Sequence, residues 1–171
     1  MQAPGNRAIV GRLKVTNLGA NQRPIRLAGS GKRDVRTQFG ALPWRLADHK
    51  LEILLVTSRD TGRWIIPKGW PMDGATPAEA AATEAFEEAG VEGKLSHQVI
   101  GFYGYLKQMD DADDFPIVVA VFPIRVKRLL SDWPEKSDRK RRWFSAKKAA
   151  IMVAEPELRQ IIRHFNPRAL R

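Results

Sequence analysis

Residues 69–91 read GWPMDGATPAEAAATEAFEEAGV, and this stretch decides the fold. Thr76 is placed to cap a helix, Pro77 takes the first helical position where its missing N–H costs nothing, and Glu79 completes a Thr-x-x-Glu capping box. Gly90 then ends the run as a left-handed cap. At 100° per residue, Ala78, Ala82, Ala85, Phe86 and Ala89 share one packing stripe, while Glu84, Glu87 and Glu88 gather on roughly the opposite side and are expected to look outward.

That acidic ridge is poorly placed for stability. Glu84 stands three and four residues before Glu87 and Glu88, where like charges cost roughly 0.2–0.5 kcal/mol per pair. All three lie near the C-terminal end of the helix, where the dipole disfavours a negative charge in the last turn by about 0.3–1 kcal/mol. A solvated acidic face is the plainer reading of an amphipathic helix, but selection for stability alone would place Lys or Arg here. A divalent cation reverses the sign of both terms, because hard cations take oxygen ligands between carboxylates and substrate phosphates.

The segment resembles the signature box of the Nudix hydrolases. Gly69, Glu84, Glu87, Glu88, Gly90 and Val91 match at the spacing of that box, with Ala85 as a small residue at an aliphatic position. Two positions depart from it, since Ala75 stands where the box has its first Glu and Thr83 where it has Arg. The first departure touches a residue understood to support the loop, a task that nearby Asp73 or Glu79 could share. The second removes a cation that would orient a metal-binding carboxylate, and such supports tune affinity and rate. The expectation is a metal-dependent enzyme whose activity is reduced unless another residue supplies that cation.

Further matches extend the resemblance to about residues 36–165. QFGALPWR, VTSRDTGRWIIPKGW and DWPEKSDRKRRWFSAKKA resemble the diphosphoinositol polyphosphate phosphohydrolase branch. The family implies an α/β/α sandwich with a mixed sheet between helices. It divides the chain into a basic N-terminal extension, residues 1–35, and a Nudix hydrolase domain, residues 36–171. It also implies Mg²⁺ or Mn²⁺ as cofactor, held by Glu84, Glu87 and Glu88 and by the Gly69 carbonyl. The same three glutamates are the catalytic candidates, with Glu84 either on a second ion or positioning the attacking water. Which glutamate acts as base stays open at this stage.

Length and composition agree with one domain. The chain has 171 residues, 43% apolar and 28% charged, enough to bury a substantial core. It has no cysteine, which excludes a disulfide framework and a thiol nucleophile and fits a reducing compartment, the cytoplasm being the expectation. No apolar run approaches bilayer length, so no membrane association is expected. The first 33 residues are Arg-rich and acid-free, yet their Gly and Pro content and weak amphipathic pattern argue against a transit segment.

Charge is unevenly divided. Residues 1–45 carry +8, residues 46–123 carry −7 and residues 124–171 carry +9, within a net charge of +10. An acidic centre between basic segments suits metal-assisted hydrolysis of a polyanion. Lys68 directly precedes Gly69, and in the resembling branch the strand bearing Arg36 and Arg45 carries phosphate-binding residues. Arg63, Arg139 and Arg141 complete the substrate-binding candidates; along Arg139–Arg142, strand spacing would turn alternate members inward. Asp110, Asp111, Asp113 and Asp114 form a second acidic cluster that reads as a solvated hairpin tip or as the source of a further metal ligand or base, and Glu135 is a weaker candidate. His49, His97 and His164 lack metal-ligand spacing and read as structural or exposed.

Strands are expected at 38–45, 52–58, 64–66, 99–107, 117–126 and 142–144, with helices after Ser145 and from Pro156. Pro123 suggests a bulge or a sheet edge. The reading that follows is metal-dependent hydrolysis of a diphosphate linkage in a highly anionic small molecule, such as a diphosphoinositol polyphosphate or a dinucleoside polyphosphate. Two rivals are a catalytically weakened module that binds a polyphosphate metabolite and an RNA-binding or cap-removing protein, for which no aromatic-rich RNA module is evident. Oligomeric state is not legible in the sequence.

Overall fold

Ile53-Leu54-Leu55-Val56 is an uninterrupted apolar run, the pattern of a strand covered on both faces, and all four side chains are fully buried. Their alternation divides them between two cores: Leu54 and Val56 join one cluster, Ile53 and Leu55 the other. The structure, a computed structural model, describes residues 16–18, 36–109 and 112–170. In it the run lies in β3 (Lys50–Thr57), beside β2 (Thr37–Ala47).

A mixed sheet of nine strands forms the middle layer. Its centre is the parallel pairing of β2 with the 18-residue β8 (Ala112–Leu129), from Thr37 opposite Val118 to Trp44 opposite Arg125. The hairpin strand β7 (Gly101–Met109) and then β6 (Val91–Ser96) pair antiparallel with successive stretches of β8. Strands β4 (Trp64–Ile65) and β9 (Arg141–Ser145) pair with β3, and the two-residue β5 (Lys68–Gly69) pairs with β2. The short β1 (Thr16–Leu18) runs parallel to β6, so part of the stretch set apart as an extension joins the sheet.

The alanine-rich α1 (Pro77–Ala89) covers one face, with Ala78, Ala81, Ala82, Ala85 and Ala89 packed on Phe39 and Phe122. On the other face α2 (Ala146–Met152) and α3 (Pro156–His164) place Ala149, Ala150, Leu158 and Ile162 against Leu42, Val119 and Val121. The three layers make the α/β/α sandwich expected of the sequence. Gly101 sets how closely α3 approaches, because a Cβ there would stand 2.6 Å from Ile161 Cγ1.

Pro123 marks neither a bulge nor an edge. Pairing with β7 ends at Val121 and pairing with β6 begins at Ile124, so Pro123 falls between two partners on one side of β8. Val118 donates toward β2, to Arg36 O, and by alternation the nitrogen of residue 123 points to the opposite side, where no ladder bond is lost. The irregularity in this pairing lies further along β8, where consecutive Glu92 and Gly93 of β6 face Arg128 and Val126 and Lys127 is the extra residue.

Candidate active site

The α1 caps form as the sequence requires. Thr76 Oγ1 accepts from Glu79 N, Glu79 Oε2 accepts from Thr76 N at 2.8 Å, and Gly90 is left-handed with φ 62°. With its side chain engaged there, Glu79 braces the loop that contains the buried Ala75. The helix thereby aims its final turns at β5, which is clamped to β2 through Gly69 opposite Phe39. A Cβ on Gly69 would collide with the Glu84 carboxylate, so glycine is obligatory for that close approach.

Glu84, Glu87 and Glu88 line one cleft of about 760 Å³ together with Lys68, Gly69, Arg63, Glu135 and Arg139. The expectation that all three carboxylates look outward fails at Glu88, which is 4% exposed. Its Oε1 accepts from Arg139 Nη2 at 2.6 Å and its Oε2 from Lys68 N at 3.3 Å. Burial pushes the Glu88 carboxyl up to about 7 although Arg139 and Lys68 pull it down. Glu84 also rises to about 7, through burial first and then through the charges of Glu88, Glu87 and Glu135. Lys68 is lowered by burial, with its ammonium 5.0 Å above the Tyr105 ring.

Arg139 supplies the cation that Thr83 does not. Thr83 is buried and spends its hydroxyl on Glu79 O at 2.9 Å. Arg139 instead reaches across from the loop before β9, and both it and Glu88 have side chains about 5% exposed (6% and 5%). The turn that carries it is docked on α1, with Glu135 N donating to Glu87 O at 3.0 Å. Its remaining nitrogens donate to Thr57 O at 2.9 Å and to Glu135 Oε2 at 2.5 Å. Arg139 was expected to bind substrate, but its guanidinium is committed to these protein acceptors.

Three other expected cations stand outside the cleft lining. Arg36 is exposed at the start of β2. Arg45, at the far end of that strand, pairs with Glu52 at 2.7 Å and stacks on Trp143. Arg141 caps the end of α1, donating to Ala89 O at 2.6 Å and Leu130 O at 2.7 Å while stacked on Trp133. It offsets the carboxylates' conflict with the helix dipole from outside the site. Lys140 and Arg142 are exposed, so Arg139–Arg142 does turn alternate members inward. Asp110 and Asp111 lie outside the described residues, and Asp113 and Asp114 belong to the start of β8. His49 and His164 are exposed and His97 is buried, none of them in the cleft lining.

The cleft also contains residues that sequence reasoning passed over. Gln38 is buried in β2 and accepts from the Tyr105 hydroxyl at 2.7 Å; Trp70, Lys107, Glu155 and the turn at residues 58–61, with Arg59 and Asp60, also line the cleft. A lone glutamine inside a strand buried on both faces was the available signal for Gln38. Glu155 was signalled only by its place before Pro156, where a helix ordinarily starts on Ser, Thr, Asp or Asn.

The donor set fits a divalent cation. It offers hard carboxylate oxygens, two of them on groups held near 7 whose protons leave readily when a cation arrives. Among the described residues no three His, Cys, Asp or Glu side chains are grouped closely enough to hold a metal ion by themselves.

The NUDIX domain profile matches residues 36–165 of the chain. The chain belongs to the Nudix hydrolase family. The mitochondrial Nudix hydrolase 12 of Arabidopsis thaliana is 32% identical over 146 residues, spanning 76% of this chain and 72% of that protein. Diphosphoinositol polyphosphate phosphohydrolase 3-beta of Bos taurus is 37% identical over 101 residues, 57% of each chain. The crystal structure of an Ap4A hydrolase from C. elegans superposes with a TM-score of 0.57 at 20% identity, covering 75% of this chain and 94% of that one, which bears on the fold alone. As a Nudix enzyme the chain is a hydrolase of diphosphate-containing substrates, a family that generally uses divalent metals. Among the described residues no helix is long and apolar enough to cross a membrane.

Proposed function

We propose that the chain hydrolyses a diphosphate linkage in an anionic small molecule with Mg²⁺ or Mn²⁺ held by Glu84, Glu87, Glu88 and the Gly69 carbonyl. The observation that carries this is the Glu84 carboxylate packed against Gly69 in the cleft that Glu87 and Glu88 also line, with Glu84 driven up to about 7 by burial and its acidic neighbours. A helix end so arranged is unfavourable by itself and favourable around a cation. Arg139 restores the brace that the box lacks, which favours an active enzyme over a weakened binding module.

When bound, the metal lowers the pKa of a water and neutralises charge developing on phosphate oxygens. The chain's residues do the remainder. Arg139 and the Lys68 N–H fix both oxygens of Glu88, so that carboxylate is oriented before substrate arrives. Glu84, opposite Gly69, is placed to orient the attacking water with whichever oxygen the metal leaves free. Lys68 and Arg63 draw the phosphates into line for displacement at phosphorus. The absence of cysteine fits a reducing compartment, which we read as the cytoplasm.

The test is release of phosphorylated products from ADP-ribose, diadenosine tetraphosphate and a diphosphoinositol polyphosphate, with Mg²⁺ or Mn²⁺ and with chelator. Turnover that needs the metal and vanishes in Glu87→Gln is expected. Metal-independent turnover, or ligand binding without any turnover, overturns the proposal.

A further inference from the structure

Glu155 stands at the N-cap of α3, and its side chain makes no capping hydrogen bond. It turns instead into the cleft, where the residue is 9% exposed and its charge acts on Lys68, Tyr103 and Tyr105. One oxygen, Oε1, lies 3.4 Å from Arg63 Nη1. The other, Oε2, is buried and has no hydrogen-bond donor among the described residues. A carboxylate in the cleft wall with one oxygen in that condition gains from a donor brought into the cleft.

We infer that Glu155 is a specificity residue that accepts a hydrogen bond from a hydroxyl or amino group on the part of the substrate beyond the diphosphate. Glu155 therefore selects nucleotide- or sugar-like diphosphates and rejects substrates whose free positions are all phosphorylated. This rests on the hydrolytic reading above and narrows its substrate class.

Among the described residues, six acidic and five basic side chains line the cleft. Of the basic ones, Arg139 is spent on Glu88 and Glu135, Arg63 faces Glu155, and Arg59 lies 3.9 Å from Glu135. A ring bearing phosphates throughout would bring acceptors against the Glu155 carboxylate, whereas a ribose or an adenine brings donors.

The experiment compares diadenosine tetraphosphate with 5-diphosphoinositol pentakisphosphate, which has no free hydroxyl, on the wild type, Glu155→Ala and Glu155→Gln. On the nucleotide, Glu155→Ala is expected to raise KM about tenfold or more with kcat within about threefold, and Glu155→Gln, which keeps an acceptor, to fall between. On the inositol substrate, KM is expected to fall in both variants. Overturning results are an unchanged nucleotide KM in Glu155→Ala, or an equal loss of kcat on both substrates, which would make Glu155 part of the chemistry. If the wild type hydrolyses neither compound, the hydrolytic reading fails by itself. Calorimetric binding of diadenosine tetraphosphate with Mg²⁺ then decides the inference, supported by a tenfold weaker Kd in Glu155→Ala and overturned by equal Kd values or by no binding. Should Glu155→Ala melt well below the wild type, the Glu155→Gln comparison alone carries the decision.

Discussion

At the scale of single residues, Thr83 and Arg139 show a function moved between elements. The sequence places a threonine where the family's box has arginine, and nothing near it in the chain repairs the loss. The repair comes from position 139, through a buried 2.6 Å contact with Glu88. Removing one member of a buried pair leaves the other charge uncompensated, at a cost of roughly 3–5 kcal/mol. Arg139→Ala is therefore expected to lower Tm and to reduce kcat by about 10–100-fold. Arg139→Lys recovers little, because an ammonium cannot fork between Glu88, Glu135 and the Thr57 carbonyl. Thr83→Arg placed in the Arg139→Ala chain is expected to return part of the activity; urea melts and steady-state kinetics on the four proteins check this. An Arg139→Ala enzyme with full kcat would remove Arg139 from the site's machinery. The carboxylates were legible because their spacing is local, but the arginine that holds Glu88 was not, because a lone cation in a basic run carries no sign of what it will touch.

At the scale of elements, α1 was readable to its ends because both caps are written within it, and its fit to the sheet follows from alanines at helical spacing. Strand β6 was not read. Glu92, Lys94 and Ser96 give it the look of a polar connection, yet Glu92 and Ser96 are buried and Glu92 is satisfied by Arg128 across the ladder. The acidic ridge of α1 has a pH signature. Glu84 sits at about 7 in the folded protein against an ordinary 4.5. Between these values the native state binds more protons than the unfolded chain, so stability falls as pH rises through that window and levels off above it. Tm in metal-free buffer is expected to decline from pH 5 to pH 8. Glu84→Gln flattens the decline and melts higher than the wild type at pH 8. Added Mg²⁺ raises the wild-type Tm more at pH 8 than at pH 5, since it competes with protons for the same oxygens. A metal-free Tm that climbs over this range, in wild type and Glu84→Gln alike, would exclude the ridge as its source.

At the scale of the whole molecule, the cleft is assembled from pieces far apart in the chain: β2, β5, α1, the loop before β9 and the head of α3. The layering was legible because buried strands alternate between two cores, whereas the fourth wall depends on how near α3 comes to β7, a distance set by the absence of a side chain at Gly101. A Cβ at that position would stand 2.6 Å and 2.7 Å from Ile161 Cγ1 and Cδ1. Gly101→Val therefore makes Ile161 turn aside or carry α3 outward, and overpacking of this kind costs about 1–3 kcal/mol. The displacement carries Glu155 with it, because that residue heads the same helix, while Glu84, Glu87 and Glu88 are anchored on the opposite face of the sheet. Nucleotide KM is thus expected to rise in Gly101→Val with kcat largely kept, and Ile161→Ala in the same chain to recover part of both Tm and KM by opening the space the valine needs. A fall in kcat at constant KM would mean instead that the strain crosses the sheet to the carboxylates, and that the two faces of the sandwich do not hold separate halves of the site.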